Sequence, residues 1–350
     1  MKKIFTLVLF FSLCSVSRLP GEVVFRNSGI ITSKEAGIRT PQEHYYTASK
    51  AMECSNWRIA EKNFSIITKY FPKSEYAPES HFYAGVCLYE LKEFELANKN
   101  FNNYMKEKNS PKFFEEALQY KFCIAEQFRA GVKRRPFGTR EFFKFLSGER
   151  ISLNVYDEVI AALPGHDLAA RSLFSKGALL HKIREYRESI EAYQTLIRRF
   201  PKHELTPESY INITKIYLDL SKVEFQNPDI VSLAEVTVKK FAMEFPGDER
   251  VIAAQQCIPA ITEVYAQGLF DTGQFYERKY KSKASVIYYE NAIRQFPNTE
   301  IAQLCRERLK ALAPCVVQAL DTFLIKTLSE SEAAEPLGDI NFEEIDFSGM

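Results

Sequence analysis

Net charge is almost absent from this chain. Its 46 Lys and Arg face 45 Asp and Glu, leaving +1 over 350 residues, so no global field argues for nucleic acid or an acidic substrate. Paired cysteines are absent too. Cys14, Cys54, Cys87, Cys123, Cys257, Cys305 and Cys315 include no CxxC pair, which weakens metal and redox-motif readings. Most lie in helical patterns, where a free Cys behaves as a small apolar residue; Cys305 and Cys315 are the first pair to check for a disulfide. Glycine and proline are scarce, 14 and 15, and the prolines fall mostly at regular boundaries. The chain has no phosphate loop, no GxGxxG, no GxSxG elbow and no HExxH. His44, His81, His166, His181 and His203 are scattered. No residue set supports an enzyme, and none calls for a cofactor or metal.

What is present is a repeat. In Ala170–His203, with Ala170 as position 1, Leu173 falls at 4, Gly177 at 8, Leu180 at 11, Ser189 at 20, Tyr193 at 24, Leu196 at 27 and Pro201 at 32. That order of large, small, aromatic and proline is the 34-residue tetratricopeptide (TPR) pattern. Small residues sit where two helices cross closely, large ones fill the space between helices, and the proline ends the second helix. Counting back from Pro72 puts Ala48 at 8, Ala60 at 20, Phe64 at 24 and Ile67 at 27. Ala97 at 20 puts Gly85 at 8, Leu88 at 11 and Phe101 at 24. Counting back from Pro297 gives Gly273, Tyr276, Ser285 and Tyr289 at 8, 11, 20 and 24. The expected fold is all-α, a TPR solenoid of about six helical hairpins over residues 41–320, closed by a capping helix over Ile301–Leu320.

The ends and interruptions read differently. Residues 1–20 have the form of a signal peptide, with Lys2 and Lys3 before the short apolar run Ile4–Leu13. Cys14 is the candidate lipidation residue, although Leu13 stands where a lipobox carries a small residue; cleavage after Ser17 is the other route. Residues 21–40 read as an extended linker. Thr40 and Pro41 are the expected N-cap and first position of the first helix. The third repeat is interrupted by Gly131–Arg150, basic through Lys133, Arg134, Arg135 and Arg140 and apolar through Phe142, Phe143, Phe145 and Leu146. A short helix tucked against the solenoid is the plain expectation there; a dock for an acidic partner or membrane headgroups is the functional one. The fifth repeat carries an insertion over Ser221–Asp229, and Pro259 is the expected kink of a helical run from Asp248 that merges into the last repeat. Residues 321–350 read as an acidic, disordered tail. From Glu330 onward seven carboxylates face no Lys or Arg, and Ile340-Asn341-Phe342 and Ile345-Asp346-Phe347 are either a partner-binding motif or part of a solvating tail.

A stack of helix pairs offers an inner surface lined by positions 2, 5, 9 and 12 of each first helix. In the first repeat these are Gln42, Tyr45, Ser49 and Met52; in the second, Glu79, Phe82, Val86 and Tyr89. Aromatics and a Met there suit an extended or helical peptide, so the peptide-groove candidates are Tyr45, Ser49, Met52, Phe82, Val86 and Tyr89. His44 and His81 both fall at position 4, a packing site.

The run Asn56-Trp57-Arg58-Ile59-Ala60-Glu61-Lys62-Asn63-Phe64, followed by Lys69–Ala77, resembles the opening repeat of the BamD-like outer-membrane assembly lipoproteins. Thr272–Arg278, Ala284 and Phe296–Thr299 resemble that family's last repeat. The resemblance covers roughly residues 40–312, and a Tol-Pal-associated coordinator shares its first two repeats. It implies a non-enzymatic scaffold on the periplasmic side of the outer membrane, lipid-anchored or peripheral, with soluble periplasm as the alternative. The implied partners are the periplasmic domains of a BamA-like barrel-insertion protein, with unfolded outer-membrane proteins as a further class. The other reading is an exported adaptor for envelope coordination or a secretion chaperone. The sequence departs from the family at Leu13, in having one repeat more than the usual five, and in its acidic tail.

Overall fold

A computed structural model describes residues 39–106, 112–135, 143–224, 227 and 229–312, together with the backbone of 23–26 and 29–32. The expectations for residues 1–20 and 321–350, Cys14 included, lie outside the described residues.

The stretch read as a linker carries two strands, β1 (Val23–Arg26) and β2 (Gly29–Thr32), paired antiparallel with Val23 opposite Thr32. Helices follow in pairs. They are α1 (Pro41–Glu53) and α2 (Trp57–Tyr70), α3 (Ala77–Glu90) and α4 (Phe94–Met105), α5 (Phe114–Arg129) and α6 (Glu149–Ala162), α7 (Asp167–Lys182) and α8 (Tyr186–Arg199), α9 (Leu205–Val223) and α10 (Asp229–Glu244), then α11 (Arg250–Arg278) and α12 (Ser282–Gln295). A further helical stretch, α13, covers 300–312. The chain divides into two compact units, Met1–Leu179 and Leu180–Met350. In the first, α1 packs on α2, α2 on α3, α3 on α4, and α5 on both α4 and α6; in the second, α9 packs on α8, α10 and α11, and α11 packs on α12.

The register explains the packing. Position 20 is Ala60, Ala97, Ser152, Ser189, Ala234 or Ser285, each 0 % exposed. The aromatics at position 24, Phe64, Phe101, Tyr156, Tyr193 and Tyr289, are buried, as are Ile67, Tyr104, Val159, Leu196, Phe241 and Ala292 at position 27. Position 8 must be small for a reason the structure makes explicit. A Cβ on Gly85 would lie 2.8 Å from the Phe101 ring, and one on Gly273 would lie 2.5 Å from the Tyr289 ring. Positions 8 and 24 are two halves of one close contact.

A second device recurs at positions 4 and 23. Asn63 Nδ2 donates to the Ile59 carbonyl at 2.9 Å, which leaves Oδ1 to accept from His44 Nδ1 at 2.8 Å. In the next repeat Asn100 Nδ2 donates to Leu96 at 2.9 Å and Oδ1 faces His81 Nδ1 at 3.4 Å. Because a backbone carbonyl only accepts, the Asn orientation assigns the His proton to Nδ1. These histidines are thus ties between the two helices of a hairpin.

The turns inside four hairpins share one conformation. Ser55, Lys92, Arg184 and Tyr280, all at position 15, have φ of 55°, 58°, 66° and 57°. The following amide reaches back to close each helix, as in Asn56 N to Ala51 O and Lys281 N to Tyr276 O. This is the Schellman cap, which normally holds glycine because a Cβ there is strained. Lys92→Gly should therefore stabilise the first unit by about 0.5–1 kcal/mol, read as a raised urea midpoint with unchanged slope.

Several expectations are corrected. The interruption of the third repeat is no tucked helix among its described residues. Arg134 and Leu146 form an antiparallel bridge, and acidic residues at the α3–α4 turn hold the cations: Arg135 bonds Glu93, Arg134 lies 3.8 Å from Glu95, and Lys144 Nζ donates to the Lys92 carbonyl at 2.7 Å. Intramolecular carboxylates thus already engage much of the charge read as available to a partner. The insertion of the fifth repeat is partly absorbed by α9, which continues to Val223. The helical run with Pro259 does merge into the last repeat, as the 29-residue α11. Cys54, Cys87, Cys123, Cys257 and Cys305 are free thiols. Burial, with Glu61 adding to it, pushes the Cys87 thiol up to about 12, so it behaves as a core residue; Cys315 lies outside the described residues.

Candidate functional site

The site begins at the start of α1. Thr40 Oγ1 accepts the Glu43 amide at 3.2 Å and the Glu43 carboxylate accepts the Thr40 amide at 2.8 Å, a reciprocal capping box. Pro41 takes the first helical position, where its missing N–H costs nothing. With the helix start fixed, His44 and Ala48 turn inward, both buried. Gln42, Tyr45 and Ser49 then fall on the adjoining face. They line a groove of about 810 Å³ together with Arg39, Glu43, Tyr46, Thr47 and Tyr76.

Its floor is aromatic and its rim polar. The Tyr45 ring lies 5.7 Å from Phe64, edge-on, and 5.0 Å from Tyr76. Its hydroxyl donates to Glu79 Oε2 at 2.7 Å. Burial, then the Glu79 carboxylate, raises the Tyr45 phenol well above its ordinary value, so it remains a protonated donor. Tyr46 is 69 % exposed. Rigid rings with hydroxyl tips, beside one amide and one serine, offer apolar area and hydrogen bonds to a polypeptide at small entropic cost.

The six groove candidates part company here. Tyr45 and Ser49 line the groove. Met52 is half-buried against the α1–α2 cluster of Ala48, Ala60 and Phe64. Phe82 and Val86 are core residues, 6 % and 9 % exposed, which corrects their assignment to an inner surface. The cause is the helix that follows: the Phe113 ring stacks on Phe82 at 4.7 Å, and Tyr120 on α5 sits 6.3 Å away. Tyr89 is half-buried, edge-on to Tyr120 at 5.3 Å. The positional rule names the face but not what the next repeat lays over it. The positional rule does not pick Arg39, Glu43, Tyr46, Thr47 or Tyr76, which also line the groove.

Solved structures similar to this chain include tetratricopeptide-repeat proteins. No family model matches the chain, and no curated protein matches it. Among solved structures, a TPR repeats protein from Bacteroides fragilis NCTC 9343 is 14 % identical, covering 78 % of this chain and 99 % of its own at a TM-score of 0.38. A tetratricopeptide repeat protein from Parabacteroides merdae ATCC 43184 is 12 % identical over 76 % of this chain and 97 % of its own, TM-score 0.33. YrrB, a TPR protein with an unusual peptide-binding site, is 10 % identical over 63 % and 95 %, TM-score 0.35. The TPR assignment of this chain rests on its own register, burial and turns.

One buried cation escaped sequence reading. Lys121 on α5 is 0 % exposed. Its Nζ donates to Asn98 Oδ1 at 2.8 Å and to Asn102 and Glu158. Burial lowers its pKa, and the Glu158 hydrogen bond opposes that. The ammonium ties α4, α5 and α6 together and acts as a structural lock between them. Among the described residues no group of three or more His, Cys, Asp or Glu is placed to hold a metal ion.

Proposed function

We propose that this chain is a non-enzymatic scaffold that holds another polypeptide in the α1 groove, and that it serves outer-membrane β-barrel assembly from the periplasmic side. The observation that carries the binding half is the groove itself. Three tyrosines, Gln42 and Ser49 surround an open volume large enough for several peptide residues. The envelope half is supported by the BamD-like runs Asn56–Phe64 and Thr272–Arg278 and by the signal-like residues 1–20. The proposed partners are the periplasmic domains of a BamA-like barrel-insertion protein and, at the groove, unfolded barrel segments.

Tyr46→Ala tests the groove without touching the core, because Tyr46 is largely exposed. It should weaken binding of an unfolded barrel segment about tenfold, in line with a tyrosine anchor worth somewhat over 1 kcal/mol, with no change in melting temperature. Unchanged affinity in Tyr46→Ala combined with Gln42→Ala would remove the groove from the reading. Capture from detergent-solubilised envelopes tests the assembly role. A co-purifying barrel-insertion protein supports it, and recovery of peptidoglycan-associated partners instead would move the chain to the adaptor class.

A further inference from the structure

The turn between α11 and α12 carries a dense cluster of exposed cations. Arg278, Lys279, Lys281 and Lys283 are all exposed, within six residues. The carboxylate beside them, Glu277, is already engaged: it accepts the Tyr289 hydroxyl at 3.0 Å and the Arg308 guanidinium. Tyr280 stands among these cations at 96 % exposure, in the left-handed region at φ 57°. Its ring gives the fold no packing in return for a strained backbone, whereas the equivalent positions hold Ser55, Lys92 and Arg184. A large exposed aromatic flanked in sequence by four exposed cations is a surface for an acidic segment that carries rings of its own.

Such a segment exists in this chain. From Glu330 to Phe347 there are seven carboxylates, no cation, and two apolar pairs, Ile340/Phe342 and Ile345/Phe347. The described chain also ends in the right place. Ile301, Cys305 and Leu312 of α13 pack into the core formed with Tyr289 and Ala292, and Arg308 holds Glu277, one residue from Arg278. The described part of α13 therefore ends about one helical turn past a residue already bound at this turn. The 17 residues from 313 to 329 have a contour length of up to about 56–61 Å, ample to bring Glu330 back to this turn.

We propose that the acidic segment Glu330–Phe347 docks in cis on the α11–α12 turn, its carboxylates over Arg278, Lys279, Lys281 and Lys283 and an aromatic ring against Tyr280. The tail then covers this basic turn, and any other polyanion must displace it. This inference is independent of the α1 groove.

Carbodiimide, which joins carboxylates to amines in direct contact, tests it on the full chain. The monomer band should hold links from Glu343, Glu344 or Asp346 to Lys279, Lys281 or Lys283. Their yield should fall about fivefold or more between 50 mM and 500 mM salt as screening shortens. Lys279→Glu with Lys281→Glu and Lys283→Glu should abolish the links. Adding Glu343→Lys and Glu344→Lys should restore them with the chemistry reversed. Should the triple reversal fold poorly, Glu343→Gln with Glu344→Gln and Asp346→Asn asks the same question from the tail. Tail links spread evenly over exposed lysines such as Lys239, Lys240 and Lys310, or found only in a dimer band, would overturn docking in cis. So would anionic phosphatidylglycerol vesicles binding the wild-type and tail-neutralised chains equally well.

Discussion

Gly85→Leu should cost the first unit about 3 kcal/mol. Two terms compete. Replacing a mid-helix glycine ordinarily stabilises a helix by roughly 0.8–1 kcal/mol. Against this, the first added carbon would already lie 2.8 Å from the Phe101 ring, and Phe101 is fully buried, stacked on Tyr120 at 5.4 Å and edge-on to Phe82 at 5.9 Å. A ring held on both sides does not yield cheaply, and overpacking a filled core typically costs 1–3 kcal/mol or somewhat more. The steric term wins for leucine, while Gly85→Ala should come out within about 1 kcal/mol of wild type. Phe101→Leu, harmful alone, should recover part of the Gly85→Leu loss, giving a favourable coupling of about 1 kcal/mol or more in a double-mutant cycle. Additive losses in urea denaturation would show that positions 8 and 24 are not one contact.

Glu158→Gln should be the most damaging change at a half-exposed position. Lys121 is wholly buried and Glu158 is its only carboxylate partner among the ion pairs described, with a side chain 42 % exposed. Removing one partner of a buried pair costs about 3–5 kcal/mol. The exposure of Glu158 lets water and salt share the load, so about 2 kcal/mol is expected here. Lys121→Met, which removes the charge and keeps the volume, should stay within roughly 1 kcal/mol of wild type. The pH dependence carries a sign. The folded-state pKa of Lys121 lies below its unfolded value of 10.5. Between the two values the unfolded chain binds more protons, so stability rises with pH across that window. Glu158 supports the charged form, so its removal depresses the folded pKa further and opens the window toward neutral pH. Denaturation at pH 7 to 9.5 should show Glu158→Gln recovering with rising pH and Lys121→Met nearly flat. Equal slopes in both variants would dismiss the lock.

Much of the architecture could be read from residues because each hairpin repeats a local constraint. Proline at position 32, small residues at 8 and 20, and large ones at 24 and 27 report contacts between helices adjacent in the chain, so spacing alone finds them. The first-helix groove was half legible for the same reason: the positional rule picked Gln42, Tyr45 and Ser49. It failed at Phe82 and Val86 because covering them depends on Phe113 and Tyr120, which belong to another repeat. Lys121 was invisible because a lysine on a helix is ordinarily solvated, and its three partners lie on two other helices. The β1–β2 pair had a signal, Val23-Val24-Phe25 then Ile30-Ile31-Thr32, but a short run of β-branched residues is not separable from an extended linker by periodicity. The pinned interruption of the third repeat needed knowledge of Glu93 and Glu95, some 40 residues away.

The left-handed turn at position 15 closes with backbone groups alone, whatever side chain it carries. A serine, a lysine, an arginine and a tyrosine all occupy it with the same φ within about 11°. The hairpin tips are therefore interchangeable sockets. Evolution can decorate each one separately, and an experimenter can attach a fluorophore or a short epitope there, without rewriting the helices that carry it.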